Sequence, residues 1–406
     1  DKDQASNQDF ANLDNYEKIY KRRVKTENTA FDLRGNIYVS SEEIWGIEQG
    51  RTFPQDLEVI PDDSGLFYHI KGSETNNAYF DFKGNARQVE SKYYIINYEP
   101  SSFSFGGYKQ FTHGLTMINN YHPNGRLLQR TTYNFIYDFK PEITVEGVNS
   151  IFNYDKTFTS KSLVTNYSWD DLDNVTYQKE ENFILLPDAD AYLNDENGYI
   201  LDENGLKQID ENEFLKVGGR IIITEETDYL KRSLRSQIFN YYFIDGVEVF
   251  DGVNGQIIQN TYESGDLTGS QTINFTQILK EGFPLLLEDW TLNLEAFEKE
   301  IRKCEVVSNT YSDPGIEQAT DIVSETWEFM GEGEDAFIFD VDGNWQIDLT
   351  KFEKRRGREI HQENFTAYGD PQMIKTLNYF YDNGEKEYVD GSFVEKIYDA
   401  HRNALV

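Results

Sequence analysis

One phrase recurs along this chain and limits what it can fold into. An aromatic residue is followed by two or three positions, then a Gly preceded by Asn, Asp, Lys or Arg, then a strand-like run. It occurs at Phe31-Asp32-Leu33-Arg34-Gly35-Asn36-Ile37-Tyr38, at Tyr79-Phe80-Asp81-Phe82-Lys83-Gly84-Asn85 and at Tyr121-His122-Pro123-Asn124-Gly125-Arg126-Leu127-Leu128. It returns at Tyr242-Phe243-Ile244-Asp245-Gly246-Val247, at Phe339-Asp340-Val341-Asp342-Gly343-Asn344-Trp345 and at Tyr379-Phe380-Tyr381-Asp382-Asn383-Gly384-Glu385. Asn-Gly and Asp-Gly supply the positive φ of a tight primed turn, and the flanks are aromatic and β-branched, so each phrase predicts a β-hairpin. The fold class expected is mainly β: extended antiparallel sheets built from irregular β-hairpin repeats. The uneven spacing excludes a strict solenoid.

Periodicity agrees. Trp345, Ile347, Leu349 and Phe352 alternate with Gln346, Asp348 and Thr350 in a half-buried strand pattern. Arg220-Ile221-Ile222-Ile223-Thr224 reads as a strand buried on both faces. One or two short helices are expected. The first is Leu294 to Lys303, where Leu294, Phe297 and Ile301 fall on one stripe; the second is Phe393 to Asn403.

The organisation expected is a polar N-terminal tether over 1–20 and a hairpin repeat region over 21–160. A β-rich middle region over 161–308 carries an acidic insert at 188–213, and a C-terminal β region covers 321–406. Within the insert, Asp195-Glu196-Asn197-Gly198 and Asp202-Glu203-Asn204-Gly205 form a local duplication. Between the last two regions, Asn309 to Thr320 reads as a linker with a turn at Pro314-Gly315. The chain opens at Asp1 without an apolar signal core, as a mature or trimmed product would.

Composition removes several classes. The formal net charge is −34, which disfavours nucleic acid and anionic membrane surfaces as direct ligands. Aromatic residues make up 15% of the chain, too many for a disordered one. A single Cys, Cys304, can form neither an intrachain disulfide nor a multi-Cys zinc site. No apolar run reaches the roughly 18 residues of a spanning helix.

The phrase Tyr121-His122-Pro123-Asn124-Gly125-Arg126-Leu127 resembles the repeat of tyrosine-aspartate (YD/RHS-like) and MORN-variant proteins. Phe31-Asp32-Leu33-Arg34-Gly35-Asn36-Ile37 resembles the opening of repeat-bearing surface lipoproteins of Bacteroidota, as does the Asn-, Tyr- and Phe-rich composition. The resemblance implies an extended antiparallel β structure and an extracytoplasmic location, and it carries no catalytic residues. Any membrane attachment would run through an N-terminal lipid anchor whose Cys this chain does not contain.

Chemistry-bearing constellations are sparse. Asp340, Asp342, Asn344 and Asp348 place oxygens at positions 1, 3, 5 and 9 of an EF-type loop and form the candidate Ca2+ set. Trp345 stands where that loop needs Gly and Lys351 where it needs Glu, which favours a hairpin turn. Asp170-Asp171-Leu172-Asp173-Asn174 and the duplicated acidic turns read chiefly as solvated turns. His69, His113, His122, His361 and His401 show no metal-ligand spacing, and Cys304 has no local catalytic signature. Trp290, in Glu288-Asp289-Trp290, and Trp327, in Glu325-Thr326-Trp327-Glu328, set acids beside indoles, as sugar-stacking sites do.

The function expected is that of a non-enzymatic extracytoplasmic surface lipoprotein. It would act as an accessory or scaffold subunit partnered with an outer-membrane protein or β-barrel assembly. Three alternatives stand beside it: a glycan-binding protein of a polysaccharide-uptake system, a glycoside hydrolase with two facing carboxylates, and an immunity-type protein with a basic partner.

Overall fold

The computed structural model describes residues 22–47, 67–97, 108–139, 154–187, 189–195, 198–200, 208–288, 291–311, 319–339, 344–365 and 371–395. Two compact units divide the chain. One takes Asp1–Asn77, Glu90–Gly114 and Ile397–Leu405; the other takes Ala78–Val89 and Leu115–Lys396.

Nearly every described element is a strand. They are β1 (Arg22–Phe31), β2 (Ile37–Ile47), β3 (Phe67–Phe80), β4 (Ala86–Asn97), β5 (Tyr108–Tyr121), β6 (Leu127–Phe139), β7 (Tyr154–Trp169) and β8 (Val175–Leu185). Next come β9 (Asn194–Asp195), β10 (Gly198–Tyr199), β11 (Phe214–Thr227), β12 (Ser233–Ile244), β13 (Val247–Val249), β14 (Asn254–Glu263) and β15 (Asp266–Leu279). The last are β16 (Phe297–Thr310), β17 (Asp321–Phe329), β18 (Phe337–Phe339), β19 (Trp345–Ile347), β20 (Phe352–Phe365), β21 (Pro371–Asp382) and β22 (Glu385–Glu395). The mainly-β, hairpin-built architecture read from the sequence is the one observed.

In the first unit β1 pairs antiparallel with β2, and β2 with β3 from Val39↔Asn76 to Ile47↔Phe67. In the second unit the order is β6–β7–β8–β11–β12–β14–β15–β16–β17–β20–β21–β22, each strand antiparallel to the next, with β13 beside β12. Such a meander sends alternate connections to opposite ends of the sheet. Short turns at 170–174, 228–232 and 264–265 mark one end. Longer connections at 186–213, 245–253, 280–296 and 330–351 mark the other.

The recurring phrase does make hairpins, but of two kinds. Asp245-Gly246 (φ 50° and 83°) and Asn383-Gly384 (φ 47° and 84°) are the two-residue primed turns expected. At the first three phrases the loop is longer. Gly35 N–H donates to Asp32 O at 3.0 Å and Gly125 N–H to His122 O at 2.7 Å, with φ of 87° and 86°. This is a type I turn closed by a left-handed residue.

The leading Asp organises such loops. Asp170 Oδ1 accepts from the N–H of Leu172 (2.9 Å) and Asn174 (2.8 Å), and its Oδ2 from Asn174 Nδ2 (2.7 Å). Asp32, Asp81 and Asp228 do the same toward Asn36, Asn85 and Arg232. Asp173 and Lys231 hold the left-handed position at φ 66° without a Gly, so the Asp is the commoner determinant.

The helix expected over Leu294–Lys303 is not formed. A 3-10 turn occupies Leu294–Ala296 and β16 begins at Phe297. The stripe misled because Phe297 and Ile301, four apart, share a face in a strand as well as in a helix. The second helix expected gives way to β22 as far as Glu395, and the rest of it lies outside the described residues. The alternation from Trp345 also breaks: β19 stops at Ile347 and a 3-10 turn holds Leu349–Lys351. In β11, Ile221 is buried while Ile222 and Ile223 are half-buried, so the strand is not closed on both faces.

The core lies on one face of the second unit's sheet. One register row there reads Tyr177, Ile223, Gln237, Ile257, Ile273, Cys304, Trp327, Lys354, crossing from β8 to β20. The next row carries Ile221, Phe239, Gly255, Phe275 and Ile301. The long connections fold back over this face and add buried Leu292, Ala296, Ala336 and Ile347. Leu292 N–H reaches Tyr177 Oη at 2.9 Å, far along the row.

Three connections re-enter the sheet by one local device that sequence reading missed. Asp210, Asn293 and Asp348 each cap a 3-10 turn by accepting from the N–H two residues on. Before each stands an aliphatic that packs inward (Ile209, Leu292, Ile347), and four residues after it a buried Phe (Phe214, Phe297, Phe352). The spacing aliphatic–Asp/Asn–three residues–Phe is plain in the sequence once the turn is known.

Candidate functional site

Glu325 in β17 is one of two buried acids among the described residues, 7% exposed beside 5% for the turn residue Asp81. Alternation along β17 turns it, with Trp327, toward the core face, where β20 and β21 bring its partners. Its Oε1 accepts from Tyr379 Oη (3.0 Å) and Tyr381 Oη (2.5 Å). Its Oε2 accepts from Trp327 Nε1 (3.1 Å) and Lys354 Nζ (3.0 Å). Burial alone would raise this carboxyl, but the hydrogen bonds from Tyr381 and Lys354 hold it below its usual value. Burial and the facing carboxylate push Tyr379 and Tyr381 up. Lys354 also sits 4.7 Å from the Trp327 ring centroid. Gly357, opposite Tyr379, makes room for this packing: a Cβ there would lie 2.4 Å from the Tyr379 ring. Glu325 therefore stays charged and fully bonded, an anchor of the sheet.

The same recipe recurs across β8, β11, β12 and β13. Lys179 and Lys216 meet Glu248 Oε1 at 2.6 and 2.7 Å, and Lys216 also bonds Glu181. Both ammonium groups lie over the Tyr241 ring, at 5.5 and 5.4 Å. Burial would raise the Glu248 carboxyl, but the two lysines lower it.

A different feature opens at the long-connection end. A cavity of about 650 Å³ lies between the 280–296 connection, the β18–β19 hairpin and the core face. Buried Gln237, Ile257, Phe297 and Ile301 line its floor. Phe337 and Trp345, packed edge to face at 5.7 Å, form a wall, and exposed Phe283 and Phe339 stand at its mouth. Sequence reasoning missed this site, because its residues come from five separated segments.

Of the metal-ligand and sugar-stacking candidates singled out from sequence, Asn344, Asp348 and Trp327 are described. Asp340, Asp342 and Trp290 lie outside the described residues. Asn344 Oδ1 accepts from Arg235 at 3.2 Å, and Asp348 Oδ1 accepts from Thr350 N–H (3.0 Å) and Oγ1 (2.6 Å), so both oxygens already serve the protein. Trp327 packs on the core and lies under Lys354. Among the described residues no group of three or more His, Cys, Asp or Glu is placed to hold a metal ion.

His361 Nδ1 lies 2.6 Å from Asp321 Oδ1, and the His113 ring stacks on Tyr93 at 4.8 Å. Burial pushes the Cys304 thiol up to about 12, which leaves it unreactive at neutral pH. Among the described residues no helix is long and apolar enough to cross a membrane.

Comparison with known proteins yields little. No protein-family model and no curated protein matches the chain. Among solved structures, a porin-like protein from Bacteroides uniformis aligns over 76% of this chain and 97% of its own, at 8% identity and a TM-score of 0.13.

Proposed function

We propose that this chain is a non-enzymatic scaffold subunit of the cell surface that docks to an outer-membrane protein through the long-connection end of its second unit. The observation that carries the docking reading is apolar side chains exposed together on two connections. Phe283, Leu286 and Leu287 come from 280–296, and Ile338 and Phe339 from the β18–β19 hairpin. Phe283 and Phe339 meet at the mouth of one cavity, so the two connections form one patch. Exposed apolar patches on a strongly charged protein mark interaction surfaces. The buried carboxylates support a scaffold rather than a catalyst, since each is committed to fixed donors. The surface location rests on the resemblance of the hairpin phrases to those of Bacteroidota lipoproteins.

The test is a mild-detergent pull-down from the protein's own cells, with stoichiometry read by mass spectrometry. The native protein is run beside an Ile338→Asp/Phe339→Asp variant. One outer-membrane partner near equal abundance, lost in the variant, is expected. Recovery of the protein alone, or equal recovery of the partner with both, overturns the reading.

A further inference from the structure

The core lies on one face of the second unit's sheet, and the opposite face carries a pattern of its own. Register sets Ile222 opposite Ile238, with Ile258 one diagonal step on, opposite Ser236. Thr272 pairs with Ile258. Val307 lies one diagonal step beyond Thr272, opposite Ser270, and Ile322 a step beyond that, opposite Asn309. Ile360 ends the line, opposite Ile322. Directly and diagonally opposed side chains on paired strands reach one another, so these form one continuous line from β11 to β20. Each stays half-buried, and none belongs to either packed cluster of buried side chains.

Three features define what fits this face. The first is charge. The chain carries −34, yet the line is flanked by Thr224, Gln256, Asn274 and Ser324, and Lys303 and Glu305 beside it cancel one another at 2.8 Å. Charges return at the two ends, with Arg220 two residues before Ile222 and Arg358 two before Ile360. A neutral centre inside a charged rim is the anatomy of a protein interface, and a basic partner would be drawn to the acidic surface elsewhere. The second feature is symmetry. Thr272 divides the line evenly, and turning it end for end lays Ile258 on Val307, Ile238 on Ile322 and Ile222 on Ile360. A two-fold interface needs a patch that fits itself in this way. The third is area. Seven strands about 4.8 Å apart, taken over the length from Lys303 to Asn309, outline about 600 Å² before the rim is counted. A stable interface takes about 800 Å² from each partner.

We propose that this face is the interface of a homodimer, in which the sheets of two copies pack face to face about a two-fold axis at Thr272. The reading is independent of the docking one, which uses the long connections at one end of the sheet.

Sedimentation equilibrium of the full chain over a concentration series tests it, with the fold of each variant checked by circular dichroism. The native chain should reach dimer mass at micromolar concentration. Ile258→Lys should weaken association about a hundredfold or more, because it buries an unpaired charge. The added cation lowers the net negative charge, so repulsion between copies does not explain such a loss. Thr272→Cys should form a disulfide between copies under mild oxidation, and Thr224→Cys, away from the axis, should not; Cys304 is buried and does not compete. A native chain that stays monomeric, a dimer untouched by Ile258→Lys, or equal cross-linking of the two cysteine variants overturns the proposal. Ile338→Asp/Phe339→Asp should leave the dimer intact, and loss of the dimer there would overturn the proposal by moving the interface to the docking patch. The dimer and the pull-down result therefore stand or fall separately.

Discussion

At one end of the second unit's sheet the turns 170–174, 228–232 and 264–265 are short and self-sufficient; at the other the connections 186–213, 280–296 and 330–351 are long and lean on the sheet. The turns 170–174 and 228–232 satisfy their own backbone through a leading Asp. They are stitched sideways as well: Lys83 reaches Asn124 O, Arg126 reaches Asp173, and Arg232 reaches Gly265 O. The long connections instead bury Leu292, Ala296, Ala336 and Ile347 against strands far away in sequence. Local hydrogen bonding shapes the first end, and hydrophobic burial shapes the second. The cavity lies at the second, where the 280–296 connection and the β18–β19 hairpin set Phe283, Phe337, Phe339 and Trp345 against the core face.

This contrast can be broken by substitution. Phe297→Ala removes a buried ring at the foot of the 280–296 connection. It should lower unfolding free energy by about 3–5 kcal/mol in urea titration. A loss under 1 kcal/mol would mean that the connection does not stabilise the sheet. Glu325→Gln keeps the shape but mismatches one amide donor with the donors it meets, at a cost of about 2 kcal/mol near pH 7. The carboxyl's pKa is lowered on folding, so its contribution is full above the unfolded value of 4.5 and fades as pH falls through the folded one. The gap between native and variant stability should therefore be flat from pH 6 to 8 and close below about 4.5; a gap that widens in acid would contradict the assignment. Smallest of the three, Asp228→Ala deletes one turn organiser and should cost about 1 kcal/mol. A loss as large as that of Phe297→Ala would erase the distinction between the two ends.

Much of the fold was legible because its cues are local. A positive-φ residue after a polar pair, flanked by aromatics, needs only its neighbours to make a hairpin. The Leu294–Lys303 stripe shows where this stops. Two of its three apolar positions fit either period, and the partners that choose between them, Phe275 and Leu279 on β15, are supplied by pairing. Asn344 and Asp348, the described part of the EF-like spacing, show what pairing adds to a local cue. Their oxygens are engaged by Arg235 from another strand and by Thr350 of the next turn.

The sequence by itself determined that this is an antiparallel β protein, where many of its hairpins turn, and that its surface is strongly acidic. These follow from backbone preference and charge, which each residue carries wherever it lies. Only the tertiary structure decided that Gln237 would be set between Ile223 and Ile257 in one row and that Glu325 would be closed in by two tyrosines, a tryptophan and a lysine. Register does this: pairing strands in one alignment sets residues more than a hundred positions apart on the same row, and burial there removes the water that would otherwise satisfy them.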